Sequence, residues 1–212
     1  MLIELLRDEP LTFLLVAGIL LFSLVLHELG HAVSALWSGD PTARLMGRIT
    51  LNPLKHLDPW GTLLLLFAGF GWAKPVPIDP RNFRNYRVGL FVVSIAGIVV
   101  NLGIALLCVL MLRGLNSLGL AAIYGTLTNA LLYAAAINIT LAVFNLLPVP
   151  PLDGSKIVQS VLPLRWHPFI WRLEVNPNYA VVMLLLFLTV LRAPVGQLIR
   201  WVQSEFFKLT LG

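Results

Sequence analysis

From Leu11 to Trp37 the sequence is almost wholly apolar, and between Leu11 and Ser23 it holds no charged residue. About twenty such residues in a helix cross the hydrocarbon core of a bilayer, so this stretch is a membrane span before it is anything else. Only 12% of the 212 residues are charged and 58% are hydrophobic, where a soluble domain carries about 25% charge. The mean hydropathy of +0.86 agrees. The fold this implies is an all-α integral membrane protein, a polytopic bundle of about four to six transmembrane segments. Residues 1–212 are read as a single domain, with no room for a large second one.

Four further apolar regions follow. Gly61 to Trp72 is too short to span. It contains Gly69 and Gly71 and runs into Ala73-Lys74-Pro75-Val76-Pro77, which cannot continue a helix. A short re-entrant or extended segment near residues 61–80 is expected. Val88 to Leu112 is long enough to cross, and Leu120 to Leu147 closes in a proline cluster. Tyr179 to Leu191 is the fifth, trailed by an amphipathic or second apolar stretch from Val195 to Leu211 whose crossing is left open.

Charge sets the orientation. The Met1 to Pro10 segment mixes Arg7 with Glu4, Asp8 and Glu9; it lacks the basic start and cleavage site of a signal peptide, so the first helix is expected to stay. The net charge of +5 is spread between hydrophobic spans, which fits loop charge and the lipid interface and excludes a nucleic-acid partner. With the first helix emerging in the cytoplasm near Gly39, ten basic residues lie inside and five outside. That favours a prokaryotic cell membrane protein with His27 about 15 Å from the cytoplasmic end of its helix. Arg81, Arg84 and Arg87 then anchor that interface against anionic lipid. The single cysteine, Cys108, excludes an internal disulfide and reads as a small core residue.

Inside the first span stands His27-Glu28-Leu29-Gly30-His31. Histidines at i and i+4 share a helix face about 6 Å apart, a spacing that suits two ligands of a tetrahedral zinc. The glutamate beside them is placed to move a proton on a water. Ionisable groups at membrane depth are costly, so they mark a functional site, and the motif points to metal-assisted hydrolysis within the bilayer.

Two histidines leave the metal short of a protein ligand. His56 and Asp58, in the loop after the first span, are candidates. So is Asp153, which follows Pro148, Pro150 and Pro151. Prolines break the helix there, and freed backbone is tolerated at depth only against protein or a wet cavity. Asp153-Gly154-Ser155 also reads as a helix start with Asp153 as its cap. Spacing alone does not choose.

These residues resemble the site-2 protease family of intramembrane zinc metalloproteases, in a minimal form without PDZ or CBS domains. The resemblance rests on His27–His31, on the Asn52-Pro53-Leu54-Lys55-His56-Leu57-Asp58-Pro59 stretch, on Gly71-Trp72-Ala73-Lys74-Pro75-Val76-Pro77, and on Asn145-Leu146-Leu147-Pro148-Val149-Pro150-Pro151-Leu152-Asp153-Gly154. It implies one zinc ion per chain on His27, His31 and Asp153, with Glu28 as general base and acid. It implies that Asn145 steadies substrate or oxyanion, and that Lys74, Pro75, Val76 and Pro77 offer an edge to which a substrate segment adds as a strand. The substrates it implies are transmembrane proteins. The family's AGP-xx-N pattern is present as Ala96-Gly97-Ile98-Val99-Val100-Asn101, with Ile98 in place of proline.

Elsewhere, His56 reads as a loop or pocket-edge hydrogen-bonding residue, His167 as interfacial, and Asn138 as a cross-link between helices. A transporter or metal-binding protein without proteolytic activity would also place His, Glu and Asp in a membrane. It does not account for a glutamate fixed between two zinc-spaced histidines.

Overall fold

A computed structural model of the protein describes residues 6–68, 73–121 and 123–211. Among them the chain is helical, and three helices are long and apolar enough to cross a membrane. These are α1 (Pro10–Ser38), α3 (Tyr86–Ser117) and α4 (Gly125–Asn145). Between α1 and α3 lies α2 (Pro59–Ala68), which matches the short second apolar region; residues 69–72, including Gly69 and Gly71, fall outside the described residues. After α4 come α5 (Asp153–Val161), α6 (His167–Val175), α7 (Pro177–Leu186) and α8 (Arg192–Leu211), with the π-helical turn Phe187–Leu191 joining the last two.

Each long helix begins and ends where its sequence allows. Proline opens α1, where its missing N–H costs nothing. Gly39 closes it in the left-handed region (φ 112°), its N–H donating back to the carbonyls of Ala35 and Leu36. Asn85 caps α3 by accepting from the Val88 N–H at 3.2 Å. The Ile98 position leaves α3 unbroken, a single helix from Tyr86 to Ser117.

The three helices pack through interleaved aliphatic and small residues. Val16, Leu20 and Ala130 form one cluster; Cys108, Val109, Leu112, Leu131, Ala134 and Ala135 form another. Lipid offers no hydrophobic drive for helices to associate, so close backbone approach and interhelical hydrogen bonds must hold them. Both are present. A Cβ at Gly30 would stand 3.0 Å from Val100, so α1 and α3 nearly touch there. Asn138 of α4 donates to Ser23 of α1 at 3.0 Å, the cross-link its sequence position suggests. On α8, Gln203 donates to Ala136 O and Thr140 Oγ1 of α4, while Val202 and Phe206 cover Ala105 and Ile139. Outward, Leu14, Phe22, Leu107 and Leu110 are exposed, as a lipid-facing surface requires.

At the Gly39 end the chain turns polar and irregular. Residues 73–79 run extended; Ala73 bridges Leu57, and Lys74 N–H donates to His56 O at 2.7 Å. His56, fully buried, holds Thr50 O at 2.8 Å through Nε2 and so fixes the loop. His167 shares a hydrogen bond with the Tyr86 hydroxyl at 3.2 Å.

Candidate metal centre

Three side chains from two distant parts of the chain converge in the bundle. His27 and His31 project from the buried face of α1, one turn apart, with their Nε2 atoms 3.0 Å from each other. Asp153 Oδ2 lies 3.3 Å from both. All three candidate ligand atoms fall within 4.8 Å of one another. Asp153 therefore points at the histidines; it opens α5 without capping it by a side-chain hydrogen bond.

Local packing explains how each ring is aimed. His31 Nδ1 donates to Val93 O of α3 at 2.7 Å. A carbonyl only accepts, so Nδ1 carries the proton and the Nε2 lone pair faces inward. His27 lies flat against Gly97, where a Cβ would collide with three atoms of the ring. Asp153 is placed by the proline break. The Pro150–Pro151 peptide is cis, and Gly154 lies so close to the carbonyls of Leu146 and Leu147 that a side chain there has no space.

The donor set fits a divalent metal. Two imidazole nitrogens and a carboxylate oxygen lie within 3.0–3.3 Å of one another, the nitrogen and oxygen donor types that a divalent metal such as zinc takes. Tetrahedral bonds of about 2.0–2.2 Å give ligand separations of about 3.3 Å. His56 and Asp58 are committed elsewhere, His56 to Thr50 O and Asp58 to the Gly61 N–H at 2.8 Å.

Around these residues is a cavity of 360 Å³, walled by Glu28, Val76, Asn101 and Asn145 besides the three. Glu28 is half-buried, and its Oε2 accepts the Val76 N–H at 2.9 Å. The extended segment is held over the cavity from its other side as well: Arg48 donates to Lys74 O at 2.7 Å and to Pro75 O at 3.0 Å. Main-chain groups of Lys74, Pro75 and Val76 are thus engaged within the chain. Asn145 donates to Leu141 O of its own helix at 3.0 Å. Ser94, Asn101 and Lys156 also face the cavity. The sequence assigns them no role there; for Asn101 the signal is its place in the Ala96–Asn101 pattern, four residues after Gly97 and eight after Val93 along α3.

Below the cavity Asp40 ties two loops together. Its buried carboxylate accepts from Thr42, from Asn82 Nδ2 at 2.9 Å and from the Asp79 N–H at 2.8 Å. Burial works to raise its pKa, but these hydrogen bonds together hold it below the usual carboxylate value.

Similarity to known proteins points the same way. A Bacillus subtilis protein named "Putative zinc metalloprotease YwhC" is 41% identical over 186 residues, covering 86% of this chain and 82% of its own length. The family model described as peptidase family M50 matches residues 117–188. The chain belongs to peptidase family M50. A Mycolicibacterium smegmatis relative, "Putative zinc metalloprotease Rip2", is 33% identical over 155 residues, 71% of this chain and 58% of its own. A Methanocaldococcus jannaschii relative, "Putative zinc metalloprotease MJ0611", is 41% identical over 51 residues, 24% of each chain. No solved structure matches. As an M50 member with three apolar helices, the protein is a membrane metalloprotease, and its candidate ligand residues lie on α1 and at the start of α5.

Proposed function

We propose that this M50 peptidase hydrolyses peptide bonds of transmembrane proteins within or near the bilayer, with one zinc ion held by His27, His31 and Asp153. The observation that carries the reading is the convergence of those side chains, at 3.0–3.3 Å, inside a cavity of a membrane-spanning bundle. The relatives named as zinc metalloproteases support the choice of metal.

When bound, zinc would polarise the scissile carbonyl and make water a stronger acid. The chain's own residues do the rest. Glu28 takes the proton of the attacking water and passes it to the leaving nitrogen. The Val76 N–H engages one of its oxygens, so the carboxylate is oriented before substrate arrives. Val93 fixes the His31 tautomer. Asn145 steadies the substrate carbonyl or developing oxyanion from the α4 end of the cavity. Lys74, Pro75, Val76 and Pro77 line the path of an incoming extended segment.

A helical substrate has its peptide groups bonded within itself, so it must unwind before cleavage. Helix-breaking residues near the cleavage point should therefore speed it. The basic residues Arg44, Arg48, Arg81 and Arg84 follow the Gly39 end of α1, which supports a site nearer the cytoplasmic face; the bacterial and archaeal relatives support a prokaryotic cell membrane. The whole of 1–212 acts as one unit, since the site joins residues 27 to 153 and α8 packs on α4.

The test is the Glu28→Gln protein in proteoliposomes with a single-pass transmembrane reporter. Cleavage should fall by about 10³-fold or more while zinc stays bound. Equal cleavage by the two forms would sink the role of Glu28, and a chain purified without zinc would sink the ligand set.

A further inference from the structure

Asn101 is 1% exposed, yet it lines the metal cavity. Among the described residues neither its Nδ2 nor its Oδ1 has a hydrogen-bond partner. The other membrane-depth asparagines spend their donors inside the protein, Asn138 on Ser23 and Ala134 O and Asn145 on Leu141 O. A buried amide with both ends unpaired is costly, and such groups persist where function supplies the partner.

Its place along α3 says what that partner is. Val93 holds His31 and Gly97 receives the His27 ring, so α1 and α3 run antiparallel with the two histidines at successive turns. Asn101 follows one turn later, about 6 Å beyond Gly97, on the side of His27 away from His31. A carboxamide offers a donor and an acceptor in one plane, the complement of a peptide group. An unwound substrate strand in a low-dielectric cavity has peptide groups that need such a partner.

We propose that Asn101 is a substrate-binding residue whose carboxamide pairs with a peptide group of the unwound substrate, one helical turn from the metal ligands. It rests on the peptidase reading above. It divides the work on the substrate main chain between the extended segment near Glu28 and the amide on α3.

The experiment uses the full chain with Glu28→Gln, which holds a fluorescent single-pass transmembrane reporter without cutting it. Into this form Asn101→Leu and Asn101→Ala are introduced separately. Reporter affinity in detergent should weaken about tenfold or more in both. Zinc content should be unchanged and the thermal midpoint equal or higher, because an unpaired buried amide has been removed. Affinities within twofold of the parent would overturn the assignment. So would a lowered midpoint or failed folding in both variants, which would make the amide part of the scaffold, bonded through water. The binding readout decides Asn101 even if the unaltered chain proves not to cleave the reporter, an outcome that would count against the peptidase reading alone.

Discussion

Two regions that meet at the metal centre are built on opposite principles. The α1–α3–α4 bundle is held by close packing of aliphatic and small residues, with single side-chain bonds such as Asn138 to Ser23 between helices. The extended segment 73–79 and the loops under it bury Ala43, Val76 and Phe83 against α1 and α3, with Ile49 and Ile78 packed on the same clusters, but much of their backbone is held in another way. They are fixed by polar bonds to the main chain, from Arg48, Glu28 and Asp40. A packed core has discrete arrangements and transmits any added atom. A hydrogen-bonded strap can release at one point while the rest stays in place. The two candidate histidine ligands sit on the packed side, as do Asn101 and Asn145, while residues 74–77 of the proposed substrate path sit on the other.

The comparison breaks most severely where packing is tightest. Gly97→Ala adds one methyl against the His27 ring. Overpacking of this kind costs about 1–3 kcal/mol, and here the displaced group is a candidate ligand. Zinc affinity should fall about 10- to 100-fold, with cleavage falling in step. The control is Gly103→Ala on the same helix, where a Cβ meets nothing within 4 Å. It should be neutral or stabilise by up to about 1 kcal/mol. Zinc titration of both variants decides; equal affinities would mean the ring is free to move.

A smaller effect is expected from Arg48→Met, which removes the two bonds to Lys74 O and Pro75 O but keeps the side chain's bulk. Bonds to a charged group contribute about 1.5–3 kcal/mol, and here they position only the segment. Cleavage should fall about tenfold, equal to about 1.4 kcal/mol, while zinc content and the thermal midpoint of the bundle stay as they were. A drop in zinc content would show that the strap and the bundle are one cooperative unit.

The division also explains which parts the sequence makes legible. The bundle is local: apolar runs predict Leu11 to Trp37 and Val88 to Leu112, and the helices are Pro10–Ser38 and Tyr86–Ser117. The ends move outward because Pro10, Gly39 and Asn85 set them by capping chemistry, beyond the last apolar residue. His27 and His31 are legible for the same reason, being one turn apart on one helix. Asp153 is open on spacing alone, since ligand and helix cap demand the same Asp-Gly-Ser; only the path of the chain through the proline break distinguishes them. The contacts of Val76 with Glu28 and of Asp79 with Asp40 join residues 48 and 39 positions apart. No periodicity encodes such pairs. Asn101 is visible as part of the Ala96–Asn101 pattern but without a role: an asparagine's partners are invisible in sequence, so an unpartnered one cannot be told from a cross-link like Asn138.

Acid should loosen the strap before the bundle, by an amount smaller than either substitution. Asp40's carboxyl is held below its ordinary value of 3.8 by Thr42, Asn82 and the Asp79 N–H, against the opposing effect of burial. A group with a lowered folded pKa contributes its stability in full above its unfolded value. That contribution is lost as pH falls below 3.8 and through the folded value. Hydrogen exchange of residues 76–83, corrected for intrinsic rate, should therefore be constant from about pH 7 to about pH 5 and then quicken on further acidification. Exchange in α3 and α4 should not follow, because Asp40 touches neither. In the Asp40→Asn variant the carboxylate is gone and the Asp79 N–H faces a weaker acceptor, so protection should be low at every pH, with only the smaller acid dependence of the exposed Asp79–Arg81 pair remaining. A variant that keeps the wild-type pH profile would move the acid response to some other carboxylate and leave Asp40 as a neutral hinge between the two loops.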